Sequence, residues 1–265
     1  MATKKRRRRK KQNTHPVLGA VFIVLLIVVL PLVLVMLKNR QANLPYINPY
    51  RAEDFVPENG FLKCLTTEST VGIDVSYYQG EIDWQQVRQA GIEFAFVRLG
   101  YRQSGDGQLG EDEMARQNLQ GASEAGIKVG AYFFSQATDP EEAREEALFA
   151  LKILNEYPLD LPLAYDWETV SGSNRTDGMT RQTLTDCVDT FCSTVEEAGY
   201  ETVVYFNRDL SRNLLDVRQL KGRQVWFAMY DSYPDVPCKP DYWQYTDQGT
   251  VPGIEGFVDL NLYLA

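Results

Sequence analysis

Four acidic residues stand out in the chain. Asp74 lies in Gly72-Ile73-Asp74-Val75-Ser76, Asp166 and Glu168 in Ala164-Tyr165-Asp166-Trp167-Glu168, and Asp259 in Val258-Asp259-Leu260-Asn261. Each stretch is short and largely apolar, so each reads as a strand with an acid at or near its C-terminal end. Asp166 and Glu168 are two apart, which on a strand turns both side chains to one face. Carboxyl groups packed together cannot all ionise, so at least one pKa rises. An acid still protonated near neutral pH can protonate a glycosidic oxygen. A neighbouring carboxylate can then stabilise the positive charge that develops on the sugar. Taken singly, each residue has a plainer reading. An Asp-x-Glu usually marks a solvated strand end, Asp74 could cap the next loop, and Asp259 could bond backbone at a barrel closure. The set is what points to chemistry.

The residues that are missing narrow the choice. The one histidine is His15, near the N-terminus. A Ser-His-Asp or Cys-His mechanism and a His-ligated metal are therefore excluded for the rest of the chain. No Cys-x-x-Cys occurs among Cys64, Cys187, Cys192 and Cys238, so zinc-ribbon and thioredoxin chemistry have no support. Three disulfide connectivities are open, and Cys64–Cys238 is the favoured pair. Arg98 sits inside an apolar strand and needs an acidic partner there, which the carboxylate set offers. Tyr101, Tyr132, Phe134, Tyr165, Tyr205, Trp243 and Tyr245 are core candidates singly. Their places near strand ends make some of them candidate walls of a saccharide cleft.

Strands and helices alternate from Val71 onward. Strands are expected at Val71–Ser76, Phe94–Tyr101, Lys128–Ser135, Leu161–Glu168, Thr202–Asn207, Val225–Asp231, Asp241–Thr246 and Phe257–Tyr263. Helices are expected at Ile82–Ala90, Glu111–Ala125, Asp139–Asn155, Thr180–Ala198 and Asp209–Leu220. Short apolar strands between helices that end in Gly mean βα units and a parallel sheet. Eight strands with about five helices predict an α/β barrel whose last three strands have lost their helices. Active sites in such barrels lie at the C-terminal ends of the strands.

The first part of the chain belongs elsewhere. Residues 1–40 hold ten Lys/Arg and no acid, whereas 41–265 hold 17 basic and all 36 acidic residues. Val17–Leu37 is a 21-residue run without a charge, about the length that spans a bilayer core. Lys4–Lys11 lies just before it, so the positive-inside rule keeps the N-terminus cytoplasmic. The expected plan is a basic cytoplasmic tail (1–16), a transmembrane helix (17–37), an extracytoplasmic stem (38–70) and a barrel domain (71–265). A cleaved signal peptide is the competing reading, but the run lacks an Ala-x-Ala end. The basic run could also be a nuclear-localisation or nucleic-acid patch. The acidic remainder argues against a nucleic-acid partner.

Several ordered motifs together resemble the family 25 glycoside hydrolases, the N-acetylmuramidase type of lysozyme. They are Gly72–Ser76 with Gln79-Gly80 and Ile82-Asp83-Trp84, then Phe94–Tyr101, Ala125–Ser135, Leu163–Glu168, Trp243-Gln244-Tyr245 and Val258–Asn261. The resemblance implies a flattened barrel with fewer helices than strands. It implies cleavage of the β-1,4 bond between N-acetylmuramic acid and N-acetylglucosamine in peptidoglycan. Carried over by position, Glu168 is the general acid, Asp166 supports the acetamido group or the oxocarbenium ion, and Asp74 and Asp259 complete the carboxylate set. Tyr132, Tyr165, Tyr205, Trp243, Tyr101 and Arg98 are the expected substrate contacts. No metal or organic cofactor is implied, and nothing identifies a protein partner. The anchor departs from the family's usual secretion signal or wall-binding modules and points to remodelling of the cell's own wall. A catalytically silent glycan-binding module and a glycosidase acting on chitin or another N-acetylated polymer are the alternatives.

Overall fold

The computed structural model describes residues 47–155, 157–220 and 222–265. The expected cytoplasmic tail and transmembrane helix lie outside the described residues. Among the described residues no helix is long and apolar enough to cross a membrane.

Eight strands close a barrel: β3 (Ser69–Val75), β4 (Phe94–Arg102), β6 (Lys128–Ser135), β7 (Leu163–Trp167), β8 (Thr202–Asn207), β9 (Gln224–Ala228), β10 (Tyr242–Gly249) and β11 (Val258–Leu264). A short strand β5 (Leu109–Glu111) pairs with β4 outside the ring. Five helices connect the early strands: α1 (Trp84–Gln89), α2 (Ala115–Glu124), α3 (Pro140–Leu154), α4 (Arg181–Glu197) and α5 (Arg208–Asn213). Seven barrel strands run parallel, and β11 runs antiparallel to both of its neighbours, β10 and β3. Residues 250–257 join β10 to β11, fewer than the dozen or more that a parallel crossover needs, so β11 turns back on β10, whereas 229–241 leave room for β10 to run parallel to β9.

The caps explain where the helices begin. The Asp139 carboxylate accepts from the Glu142 amide at 3.0 Å, with Pro140 in the first turn of α3. Thr180 does the same for α4 through the Thr183 amide. Two expected helices are shorter than the apolar spacing implies. Glu111 joins β5, and α2 starts at Ala115 because the Asp112 carboxylate turns back to accept from the Met114 amide. The expected Asp209–Leu220 helix divides into α5 and a 3-10 turn at Val217–Gln219, capped by Asp216.

Strand alternation sorts the side chains into two layers. The lumen is filled by Phe94, Phe96, Tyr132, Tyr205, Trp226 and Tyr242, with Phe96 stacked on Trp226 at 4.5 Å. A Cβ on Gly72 would come within 2.4 Å of the Phe94 ring, so that strand must carry glycine to admit it. The alternate residues of the same strands face the helices and form the larger outer core.

No helix follows β9 or β10, so β10, β11 and β3 need another cover. Residues expected as stem supply it. Strands β1 (Phe55–Glu58) and β2 (Phe61–Cys64) form an antiparallel hairpin around Asn59-Gly60, both at positive φ. That is the backbone twist which a two-residue hairpin turn requires. Tyr50, Phe55 and Cys64 pack on Trp243, Leu262 and Leu264, and the rings of Phe55 and Trp243 lie 4.8 Å apart. The folded unit therefore begins well before Val71. All four cysteines are buried and free. Cys64 packs under the hairpin, whereas Cys238 belongs to the outer core. The favoured Cys64–Cys238 pair is thus corrected: both act as small apolar side chains.

Candidate active site

The four acids meet at one mouth of the barrel. Asp74 is the penultimate residue of β3, Asp166 lies in β7, and Glu168 follows the last residue of β7. Asp259 reaches the same mouth from the start of its strand, not from the C-terminal end. The reversed direction of β11 makes this possible, and it sets Asp259 directly opposite Asp74 in the ladder. All four line one open cleft.

Asp74 and Asp259 form one coupled pair. Burial lifts Asp74 to about 6, while hydrogen bonds from Asn261, Gln244 and Asp259 pull it down. Burial and the Asp74 charge push Asp259 higher, to about 8. Asp259 is therefore the protonated member, and its carboxyl donates to Asp74. The amides around Asp74 are oriented by their other ends. The Asn261 oxygen accepts from the Trp226 indole at 2.8 Å, so its NH2 faces Asp74 at 2.7 Å. The Gln244 oxygen accepts from the Tyr230 hydroxyl at 2.9 Å, so its NH2 donates to Asp74 at 2.9 Å. These bonds stabilise Asp74 as a carboxylate.

Asp166 and Glu168 form the second pair. Burial first, then the Glu168 charge, raises Asp166 well above the ordinary range. Burial also raises Glu168, against hydrogen bonds from Tyr205 and Asp166. Asp166, the more deeply buried of the two, is raised further, and the hydrogen bond between them favours Asp166 as the protonated member. One oxygen of Asp166, Oδ1, is buried without a hydrogen-bond partner. Glu168 lies past the β6–β7 ladder, which ends at Ser135 opposite Trp167. Its backbone is held instead by Gln136, fully buried, whose amide NH2 donates to the Glu168 carbonyl.

The other expected contacts divide by strand face. Tyr132, Tyr205 and Arg98 line the cleft. Tyr165 does not: it precedes Asp166, so it points outward, where its hydroxyl lies 2.9 Å from Ser135. Trp243 does not either: it precedes lumen-facing Gln244 and packs under the N-terminal hairpin, its indole donating to the Met229 carbonyl at 2.8 Å. Tyr101 stays outside the cleft lining, beyond a register shift in β4, with the Arg98 guanidinium 5.5 Å from its ring centre. The partner of Arg98 is also different from the expected one. Arg98 pairs at 2.7 Å with Asp112, which is buried ahead of α2. Its charge still reaches Asp166 and lowers that pKa.

The sequence reading missed Asn261 and Gln244 as site-shaping residues, and Tyr78, Trp226 and Tyr230 as lining. Asn261 and Gln244 were readable by the step of two, from Asp259 and from lumen-facing Tyr242. Tyr230 was readable in the same way, four residues after lumen-facing Trp226 in the expected strand, whereas Tyr78 lies outside the strands and nothing in its local pattern marks it.

The Asp259 shift has a consequence for stability. The folded chain holds this proton up to about pH 8, the unfolded chain only to about its ordinary value of 3.8. The folded state binds more protons across that window, so stability falls as pH rises through it. Asn at 259 cannot titrate and still offers Asp74 a donor. Asp259→Asn should match the wild type near pH 4 and exceed it near pH 8.5. The expected gain is about 2–8 °C in melting temperature, for roughly 1–2 kcal/mol at this partly exposed position. Equal differences at the two pH values, read by thermal melting, would remove the titration assigned to Asp259.

A parallel-sheet barrel with carboxyl groups converging at one mouth has the form of a barrel glycoside hydrolase. The chain belongs to the glycosyl hydrolases family 25, whose family pattern it matches over residues 73–254. It is 27% identical to the autolytic lysozyme of Clostridium acetobutylicum over 191 residues, covering 72% of this chain and 54% of that protein. It is 27% identical to lysozyme M1 of Streptomyces globisporus over 220 residues, 78% of this chain and 72% of that one. The modular autolysin LytC of Streptococcus pneumoniae, solved with a synthetic peptidoglycan ligand, superposes with a TM-score of 0.67 at 25% identity. That match covers 79% of this chain and 52% of LytC. The chain thus spans about half the length of the clostridial and pneumococcal relatives. The N-terminal hairpin precedes the family match.

Proposed function

We propose that this protein is a muramidase, hydrolysing the β-1,4 bond between N-acetylmuramic acid and N-acetylglucosamine in peptidoglycan. The observation that carries the proposal is the buried Asp166–Glu168 pair at the cleft, whose Asp166 Oδ1 has no hydrogen-bond partner. An N-acetyl amide N–H is the donor that this oxygen lacks. Once the donor arrives, Asp166 is favoured as carboxylate and its proton passes to Glu168. Glu168 then protonates the glycosidic oxygen as the C–O bond breaks. The acetamido oxygen, aligned by Asp166, stabilises the positive charge at the anomeric carbon. Asp74 adds a fixed negative charge beside it. Water completes the hydrolysis, giving its proton to the Glu168 carboxylate.

The full-length chain should release new reducing ends from purified peptidoglycan. Borohydride reduction and mass spectrometry identify them. Reduced N-acetylmuramic acid supports the reading, and reduced N-acetylglucosamine from chitin oligomers alone favours a chitin-type glycosidase. Binding to peptidoglycan with no new ends favours a silent glycan-binding module.

The uncharged run 17–37 behind Lys4–Lys11 supports a membrane-anchored enzyme with an extracytoplasmic barrel that remodels the cell's own wall. The protein should stay in the membrane fraction after alkaline carbonate extraction, with its barrel open to protease added outside the cell membrane. Release by carbonate would remove the anchor from the proposal.

A further inference from the structure

A second cavity opens beside the catalytic cleft and shares Glu168, Tyr205 and Tyr230 with it. It lies past the C-terminal ends of β8 and β9, and its buried apolar floor is Ala228 and Met229. The floor is fixed: the Met229 amide donates to the Gln244 carbonyl at 3.1 Å, and its carbonyl accepts from Trp243. Tyr230 is 53% exposed at the rim. An apolar floor beside an open tyrosine ring suits the face of a sugar.

The cavity wall carries one cation. Among the described residues Arg208 is its only basic lining residue, beside the acids Glu168, Asp209 and Asp231. Arg208 is poorly satisfied where it stands. Among the described residues its one ion pair, to Asp235, is long at 3.8 Å, and its buried Nε has no hydrogen-bond partner. About two-fifths of the side chain is exposed. The cation of the main cleft, Arg98, is by contrast held at 2.7 Å by buried Asp112. A neutral glycan would not need a guanidinium in this wall. A carboxylate would, because the neighbouring acids would otherwise repel it, and a guanidinium binds carboxylate through paired N–H donors.

We propose that this second cavity is the subsite for a sugar with a carboxylate-bearing substituent, with Arg208 as counter-ion and Tyr230 stacked on the ring. The proposal rests on the muramidase reading and refines it. Arg208 is what separates acidic muramoyl glycan from neutral N-acetylated polymers. The carboxylate has two possible carriers, the lactyl group of a peptide-free strand or the attached peptide.

The test compares the full-length protein with Arg208→Gln on peptide-bearing strands and on amidase-stripped strands, each untreated or converted to the methylamide. The wild type should lose about tenfold in kcat/KM on amidation of whichever strand carries the recognised carboxylate. Arg208→Gln should show the same loss on the untreated strand, mostly in KM, and no further loss on the amidated one, as for binding shared by ground and transition states. Its melting temperature should match the wild type. Equal sensitivity of wild type and Arg208→Gln to amidation would overturn the role of Arg208 while leaving the muramidase standing. Cleavage of no strand by the wild type would sink both.

Discussion

Replacing Glu168 by Gln should lower kcat on peptidoglycan about 10²–10⁴-fold, the usual worth of a general acid, or roughly 3–5 kcal/mol of transition-state stabilisation. KM should change little, because the amide keeps the size of the side chain and its contact with Tyr205. The fold should survive, and the melting temperature above neutral pH should hold or rise. The reason is the sign of the shift. Burial raises the Glu168 pKa, so the ionised side chain destabilises the folded state once it loses its proton. A neutral amide removes that cost. The loss in rate would then come without any loss in stability, which separates a chemical role from a structural one. A folded Glu168→Gln protein with wild-type kcat would end the assignment of the proton to this residue, and Asp166 would be the next candidate. The position of Glu168 matters as much as its proton. It stands beyond the last ladder bond of β7, and only the Gln136 side chain ties its carbonyl to the neighbouring strand.

How far the sequence led differs from residue to residue. The eight barrel strands were legible because each is a short apolar run and the helices between them end in glycine. The convergence of Asp74, Asp166 and Glu168 followed from strand periodicity and the rule that barrel chemistry sits at strand ends. Asp259 was found through a wrong geometry. Its strand is antiparallel, a direction set by the short link from β10 and not by the strand's own pattern. The same periodicity, applied consistently, would have excluded Tyr165 and Trp243, since each is adjacent to a lumen-facing residue. The signal for the hairpin was present as Asn59-Gly60 between Phe55-Val56 and Phe61-Leu62, a strong two-residue turn, but Pro45, Pro49 and Pro57 break the periodicity of the segment expected as stem. The Arg98–Asp112 pair was not legible. Fourteen residues and a loop separate the two, and any acid at the mouth could have answered that charge.

The largest expected stability effect lies outside the cleft. Arg102 is nearly buried at the end of β4, and its Nε meets the fully buried Glu146 of α3 at 2.8 Å. Glu146 also accepts from the Ser135 hydroxyl at 2.6 Å, which ties the pair to the end of β6, one residue before Gln136. Burial lifts Glu146 to about 7, against the pull of Ser135 and Arg102. Glu146→Ala leaves the guanidinium with half-exposed Glu145 and the carbonyls of Gly107 and Glu142 as its remaining short contacts. Breaking one side of a buried pair costs about 3–5 kcal/mol. The surviving partners reduce that to about 2–4 kcal/mol here, a fall of roughly 4–16 °C in melting temperature. Arg102→Met with Glu146→Leu leaves neither charge of the pair behind, and apolar side chains of similar size can replace such a pair at little net cost. The double variant should therefore regain at least half of the loss. Calorimetry on the two variants decides the matter. A double variant as unstable as Glu146→Ala would mean that the network of Ser135, Tyr165 and Glu145 holds this corner, and the ion pair itself contributes little. Recovery would locate the cost in the stranded charge, and would mark the end of β6 as a place where the outer core and the support of Glu168 are fixed by the same buried bonds.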